Sequence, residues 1–314
     1  MKQKTFLLLL MMTLLVACSN GQASTPNIKI EATDASLQSP LVTDTVTVSL
    51  IGTDTPIPTF TPKPPLEKDA WMKMPVVPTD VSGAMRDVYQ MGLDMGNDPA
   101  HFSVIGDCQN VSSYFLSVFE KPGEYSLGTD YAYLQPTIEY YQGSYSRVSV
   151  AVKGGFNAAA VLSPLRSDPA VCNANESPLD CELRIWKPSV VIVSMETWWS
   201  QKPEAEYEKY MRRVLDRILE TGAVPIIATK ADNLEGDYAI NATVAKLAYE
   251  YDIPMWNFWA AVQPLPAHGL SPDGFHLTFA RNFFDDPFRM ESAWPWRNLT
   301  ALQTLDAMRK GLAK

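Results

Sequence analysis

Short apolar runs alternate with amphipathic segments through the last two thirds of the chain. Several of the runs are apolar at both odd and even positions, which is typical of parallel strands that are covered on two faces. The predicted strands are Phe102–Gly106, Arg147–Val152, Ser189–Ser194, Val224–Thr229 and Met255–Phe258.

The amphipathic segments have the spacing of helices with one buried side. The predicted helices are Val81–Leu93, Gln109–Phe119, Pro203–Glu220, Tyr238–Tyr251 and Trp296–Leu312. Strands separated by helices imply right-handed crossover connections between parallel strands. The pattern therefore predicts an α/β fold, a three-layer α/β/α sandwich with a mostly parallel sheet of about five strands. Functional groups are expected at the carboxyl ends of those strands.

The first residues have the pattern of an export signal. Lys2 and Lys4 precede an apolar run, Phe6–Ala17, that is too short to span a membrane comfortably as a mature anchor. The run ends in Leu-Val-Ala before Cys18, which resembles a bacterial lipobox. The resemblance implies that Cys18 carries lipid and that the protein is exported and membrane-anchored, at the bacterial cell surface or in the periplasm. An ordinary signal peptide with a chance cysteine is the alternative.

Residues 19–68 are rich in Thr, Ser, Pro and Asp and contain almost no material for a core. Closely spaced prolines favour an extended, semi-rigid chain, so we predict a disordered tether here. Residues 69–314 are long enough for one sizeable core, and we assign them to a single domain. No internal repeat is visible in them. The oligomeric state stays open.

The net charge and the residue composition restrict the classes of molecule that the protein is expected to bind. The chain has a net charge of −9, and removing residues 1–17, with Lys2 and Lys4, leaves −11. An acidic surface argues against nucleic acid as a partner. The three histidines do not cluster and no CxxC pattern is present, so we predict neither a metal nor another cofactor.

The cysteines beyond the signal divide into a pair and a third residue. Cys172 and Cys181 bracket a short polar loop, and an exported chain permits disulfides. We therefore expect these two to be bonded to each other. Cys108 then keeps its thiol.

Two short segments carry the candidate chemistry. In the first, an apolar run ends in Gly106-Asp107-Cys108, and in the second, a turn contains Asp273-Gly274-Phe275-His276. A nucleophile, an imidazole base and a carboxylate that orients the base are sufficient for acyl transfer. An inert, buried cysteine and a solvated surface histidine are the structural alternatives.

These two segments, in this order and at this distance, resemble the marker blocks of the SGNH (GDSL) hydrolases, whose sheet is flavodoxin-like. The resemblance covers about residues 80–314. It implies that Cys108 stands where the family has its nucleophilic serine, that His276 is the base, and that Asp273 orients the base. The thiol would lie at the start of the predicted Gln109–Phe119 helix, where the dipole favours a thiolate.

The resemblance also implies an oxyanion hole, for which the backbone N–H of Cys108 is one donor. The family's glycine donor falls at Gly155 or Ala158, and the sequence leaves that register open. The third donor in the family is an asparagine side chain, and this chain has Glu196 there. An ionised carboxylate cannot donate a hydrogen bond and would repel a developing oxyanion.

The resemblance implies an ester hydrolase or acyl transferase, acting on an acylated glycan or another extracellular ester. The alternative is a catalytically inactive domain of the same fold that binds a glycan or another extracellular partner. The family has four marker blocks, and two of them are altered in this chain, which is why an inactive domain is considered. The two alternatives differ over whether Cys108 and His276 react together.

Overall fold

A parallel sheet of four strands forms the centre of the fold. The computed structural model describes residues 63–67, 69–195 and 204–314. In spatial order the strands are β1 (Asp98–Gly106), β3 (Pro188–Ser194), β4 (Val224–Ala228) and β5 (Met255–Trp256). Two further short strands, β2 (Tyr125–Ser126) and β6 (Asn282–Phe283), pair in parallel as a separate sheet.

The apolar runs explain why the central strands are buried. Every residue of β3 and of β4 is buried, as expected for strands covered on both faces. The parallel register pairs Gly106 at the end of β1 with Ser194 at the end of β3. The carboxyl ends of these two strands therefore lie side by side, where the candidate chemistry was predicted.

The described residues form seven α-helices in two groups that contact the sheet. They are α1 (Gly83–Asp94), α2 (Gln135–Tyr140), α3 (Pro178–Trp186), α4 (Glu204–Glu220), α5 (Ala239–Tyr251), α6 (Phe258–Val262) and α7 (Ala293–Leu312). Helix α1 packs on α7, and α4 packs on both α3 and α5. This arrangement is the predicted α/β sandwich.

Local sequence signals set the ends of several helices. Ser82 Oγ accepts a hydrogen bond from the Met85 N–H at 3.2 Å and caps α1. Helix α7 begins at Ala293, three residues before the predicted start, because Pro295 fits the first turn of a helix, where no N–H partner is required.

The predicted strand Arg147–Val152 is wrong over most of its length. Only Val152 forms a bridge, in parallel with Gly106. The buried carboxylate of Glu182 holds this segment instead, accepting hydrogen bonds from the Val150 N–H at 3.0 Å and from Arg147 at 2.9 Å. A backbone donor of the segment is thus used by a side chain, and the described residues contribute four strands to the central sheet.

The predicted helix Gln109–Phe119 is also wrong. Two short 3-10 turns, Cys108–Asn110 and Ser117–Glu120, take its place, and Leu116 between them has a φ of 64°. A left-handed residue interrupts an α-helix. The Asn298 side chain stabilises this conformation, because its Oδ1 accepts the Leu116 N–H at 2.7 Å. Cys108 therefore does not lie at the N-terminus of an α-helix.

Cys172 and Cys181 form a disulfide with their Cα atoms 5.3 Å apart, as the sequence predicted. Their sulfurs and a carboxylate oxygen of Glu176 are the group of potential metal ligands that lies closest together in the described part of the chain. Sulfurs joined in a disulfide are not thiolate ligands, so this group indicates no metal site.

The described part of the chain includes residues 63–67 of the predicted tether. Lys63, inside the predicted tether, donates a hydrogen bond to Asp252 at 2.7 Å and another to the Tyr249 C=O at 3.0 Å. Cys18 and residues 19–62 lie outside the described residues. None of the helices that the structure describes is long and apolar enough to cross a membrane.

Candidate active site

The turn after β1 places Cys108 at the carboxyl end of the sheet. Asp107 Oδ1 accepts the Gln109 N–H at 2.9 Å, and the Asp107 C=O accepts the Asn110 N–H at 3.1 Å. Asp107 is buried, whereas Cys108 is partly exposed. The thiol is thus accessible at the end of a strand whose neighbours are in the core.

The side chain of Asn110 ties this turn to the adjacent strand. Its Nδ2 donates to the Ser194 C=O at 2.7 Å and to Asp107 Oδ1 at 3.4 Å. A Cβ atom at Gly106 would lie 2.2 Å from Asn110 Nδ2 and 2.4 Å from the Ser194 oxygen. Only glycine permits so close an approach, so the packing explains why residue 106 is a glycine.

The loop after Val152 brings backbone next to Cys108. The Lys153 N–H donates to the Gly106 C=O at 3.3 Å, and a Cβ built on Gly154 would lie 3.9 Å from the Cβ of Cys108. A Cβ on Gly155 would have no described atom within 4 Å, and Ala158 is fully buried. Gly154 therefore joins Gly155 and Ala158 as a candidate backbone donor, and it is placed against the thiol residue.

Asp273 and His276 form a hydrogen-bonded pair on an exposed turn. Asp273 Oδ2 lies 2.6 Å from His276 Nδ1, and the side chains are 50% and 62% exposed. Asp273 Oδ1 accepts the N–H groups of Phe275 at 3.0 Å and His276 at 2.9 Å. Gly274 has a φ of 71°, which closes the turn at little steric cost. The turn's own residues therefore hold the pair together.

This pairing sets the charge of the carboxylate. The hydrogen bond with His276, followed by those from the Phe275 and His276 N–H groups, lowers the pKa of Asp273 to about 2. Asp273 is consequently an anion at neutral pH. An ionised carboxylate at Nδ1 keeps the proton on that nitrogen and leaves Nε2 available as a base.

A short antiparallel bridge between Leu270 and Leu277 closes the base of the exposed turn. The next residue, Thr278, joins it to α7. Thr278 Oγ1 donates to the Gly269 C=O at 3.0 Å and accepts the Ala293 N–H at 2.9 Å. His276 is therefore two residues from a firm attachment to the start of the last helix.

Aromatic contacts connect the segments that follow the two turns. The ring of Tyr114 lies 6.4 Å from that of Phe279 and 5.6 Å from that of Trp294. Asn298 Nδ2 donates to the Tyr114 C=O at 3.1 Å and holds it. Tyr114 is six residues after Cys108 and Phe279 is three residues after His276, so these rings link the segments that follow the two turns.

One predicted site residue lies beyond what the structure describes. Glu196, with the neighbouring Trp198 and Trp199, is outside the described residues. Its place in the oxyanion hole stays a prediction.

Sequence reasoning missed three residues of this region. Gly154 and Asn110 stand within or beside the motifs, but glycine and asparagine are also common in turns, so nothing marked them. The third is Arg297, whose guanidinium is buried and donates to Asn110 Oδ1 across 187 residues of chain. No local pattern can indicate such a contact.

Comparisons with known proteins give similarities of structure alone. No protein-family profile and no curated protein sequence matches the chain. It is similar to the structure of a candidate SGNH hydrolase from Slackia heliotrinireducens, with 12% identity, a TM-score of 0.44, and coverage of 66% of this chain and 99% of that one. It is also similar to a catalytic mutant of an acetylxylan esterase from Geobacillus stearothermophilus, with 12% identity, a TM-score of 0.39, and coverage of 70% and 95%. At this degree of similarity neither likeness assigns an activity to the chain.

Proposed function

We propose that residues 69–314 are an SGNH-type ester hydrolase or acyl transferase, exported and held at a membrane by lipid on Cys18. Cys108 is the nucleophile, His276 the general base and Asp273 the residue that orients it. One observation supports this proposal: the 2.6 Å pairing of Asp273 with His276, on a turn whose following segment contacts the segment after Cys108 through Phe279 and Tyr114. An orienting carboxylate on an imidazole is the arrangement that nucleophilic catalysis requires.

In the proposed reaction, the thiol sulfur attacks the ester carbonyl carbon while His276 Nε2 takes the thiol proton. The tetrahedral intermediate collapses to a thioester on Cys108, and His276 returns the proton to the departing alcohol oxygen. Water, or the hydroxyl group of an acceptor, then attacks the thioester and regenerates the thiol. The Cys108 and Gly154 N–H groups are the proposed donors to the oxyanion.

The aromatic surface beside the two turns supports a glycan ester as substrate. Tyr114 and Phe279 are 53% and 65% exposed, although both are large apolar rings. Exposed rings at a binding site offer flat faces on which pyranose rings can stack. We therefore propose an acylated extracellular glycan as the substrate class.

The test measures the thiol and the reaction separately. Iodoacetamide should alkylate Cys108 near pH 7 faster than it alkylates free cysteine, and His276→Ala should slow that reaction, because the imidazole promotes formation of the thiolate. The wild-type protein should hydrolyse p-nitrophenyl acetate and Cys108→Ala should not. A labelling rate that is indifferent to His276 would show that the two side chains are not coupled.

A glycan-binding module is the second candidate, and Glu196 favours it, because a carboxylate replaces the expected oxyanion donor. In that case Cys108→Ala keeps full affinity for the glycan and no variant hydrolyses esters. Combining Glu196→Asn with Cys108→Ser restores the family's donor and nucleophile. Ester hydrolysis by this double variant supports the enzyme, and its absence in a folded double variant supports the binding module.

A further inference from the structure

Arg297 lies in the core beneath the carboxyl ends of the strands. It belongs to the first turns of α7 and has no solvent exposure. A guanidinium is charged at any accessible pH, so burying one is costly unless its surroundings compensate. A buried arginine in this position therefore needs an explanation.

Hydrogen bonds from the guanidinium reach two elements of the candidate site. Arg297 donates to Asn110 Oδ1 at 2.9 Å and to Ser194 Oγ at 2.7 Å. The first acceptor is on the turn that carries Cys108, and the second is the last residue of β3. Asn110 in turn donates to Asp107 Oδ1, so its amide group bridges a buried carboxylate and a buried cation.

Three aromatic rings complete the environment of the guanidinium. Its central carbon lies 4.8 Å from the Phe115 ring, 5.0 Å from Phe258 and 5.2 Å from Trp256. Cation–π contacts of this kind offset part of the lost hydration. The rings come from the segment after Cys108, from α6 and from β5, so Arg297 contacts all three of these parts of the fold.

We infer that Arg297 is a positioning residue for Cys108, and this inference rests on the proposed function. Its two hydrogen bonds, both from Nη2, hold Asn110 and the end of β3 in one arrangement, and Asn110 holds the turn through Asp107. Cys108 lies between Asp107 and Asn110 in the chain, so the backbone that carries its thiol and N–H is held on both sides. Arg297 does not touch the substrate in this role.

The test compares Arg297→Gln with wild type in the full-length protein. Gln keeps an NH₂ donor group, but that group is two atoms nearer the backbone than Nη2 and carries no charge. We expect the rate of Cys108 alkylation by iodoacetamide, followed by mass spectrometry of the Cys108 peptide, to fall by about 10- to 100-fold, since small misplacements near a reacting group have effects of this size. Loosening of the fold alone would expose the thiol and would not slow its alkylation.

Two further variants sharpen the result. Arg297→Lys keeps the charge and has an NH₃⁺ donor group one atom nearer the backbone than Nη2, and should recover part of the lost rate. Asn110→Ala removes the acceptor on the turn and should slow alkylation as Arg297→Gln does. The double variant should be alkylated no more slowly than either single variant, because both changes break the same connection. Asn110→Ala also carries the test if Arg297→Gln does not fold.

Arg212 provides a control. It is partly buried and pairs with Glu208 and Glu250, so its ion pairs lie on helices α4 and α5 and not on the Cys108 turn. Arg212→Gln should lower the melting temperature and leave the alkylation rate of Cys108 unchanged within about twofold.

Hydrogen exchange at the amides of Gln109 and Asn110 gives an independent reading of the turn. We expect faster exchange there in Arg297→Gln and no change in Arg212→Gln. An unchanged alkylation rate in folded Arg297→Gln, or an equal fall in Arg212→Gln, would overturn the inference. An alkylation rate of Cys108 that is the same in wild type and in His276→Ala would instead contradict the proposed function. A failure of the inference and a failure of the proposed function are therefore distinguishable.

Discussion

The two turns that carry the candidate chemistry are built in opposite ways. The Cys108 turn is buried on one side and is held by contacts across the sheet, from Asn110 to Ser194 and from Arg297 to Asn110, at sequence separations of 84 and 187 residues. The Asp273–His276 turn is exposed, and its bonds are short-range: they lie within Asp273–His276 and between that segment and Ser271, above the Leu270–Leu277 bridge. The proposed nucleophile and the proposed base thus depend on different parts of the fold.

This difference predicts different responses to mutation. A local, exposed pair can lose a partner without disturbing a core, so its variants should lose activity and keep stability. A turn that is packed against two strands and a buried arginine should lose stability as soon as its packing is disturbed. The following changes separate these outcomes.

The largest effect is expected from Asp273→Asn, on activity. The amide is nearly the same size as the carboxylate but cannot hold His276 in the tautomer that leaves Nε2 as a base. Turnover of p-nitrophenyl acetate should fall by up to about 10⁴-fold, which is the effect of the equivalent change in serine proteases. The melting temperature, measured on the same sample, should stay within about 2 °C of wild type, since both side chains are largely exposed. A large loss of stability would show that the exposed turn is not independent.

The next effect concerns stability in the buried turn. In Gly106→Ala the new Cβ meets the Asn110 amide and the Ser194 oxygen at 2.2–2.4 Å, and neither can move without breaking its hydrogen bond. The free energy of unfolding in urea should fall by at least about 3 kcal/mol.

Gly274→Ala is the matched change in the exposed turn. Its Cβ would meet open space, so only the left-handed φ of 71° opposes it, at a cost of about 1–2 kcal/mol. Equal losses at the two glycines would contradict the contrast between the turns.

The same contrast explains what could be predicted from the sequence. The Asp273–His276 pair follows from a four-residue pattern, because every bond within it is local. The place of Cys108 follows from the apolar run of β1 and the Gly-Asp that ends it. The contact from Arg297 to Asn110 could not be predicted, since nothing near either residue in the chain indicates the other.

The fold shows the same limit. The buried strands β3 and β4 were predictable because apolar residues at both parities leave few other structures. Arg147–Val152 was predicted as a strand, but the carboxylate of Glu182, distant in the chain, takes the Val150 N–H. Gln109–Phe119 was predicted as a helix, but the Asn298 side chain holds Leu116 in a left-handed conformation. In both cases a remote polar side chain outweighed a local pattern.

A smaller effect should show how firmly the exposed turn is attached to the fold. Thr278→Val keeps the shape of the side chain and removes the hydroxyl that bonds to the Gly269 C=O and the Ala293 N–H. We expect a loss of about 1–2 kcal/mol in the free energy of unfolding, which is typical of a lost hydrogen bond whose partner stays partly buried. Urea denaturation measures it, and no change would show that the start of α7 does not depend on this contact.

The smallest effect is on the pKa of Asp273 and can be followed by carbon NMR of its carboxyl group. The pKa in the folded protein is about 2, below the ordinary value near 3.9, so the stabilisation from this carboxylate is complete above about pH 4 and is lost as the pH falls through 2. The hydrogen bond with His276 is the largest cause, so His276→Ala should raise the pKa towards its ordinary value. The Phe275 N–H and the backbone N–H of residue 276 remain, and the pKa should stay somewhat below that value. Arg297→Gln should leave the pKa of Asp273 at about 2, because the hydrogen bonds that lower this pKa come from the exposed turn itself. A raised Asp273 pKa in Arg297→Gln would show instead that the two turns are coupled.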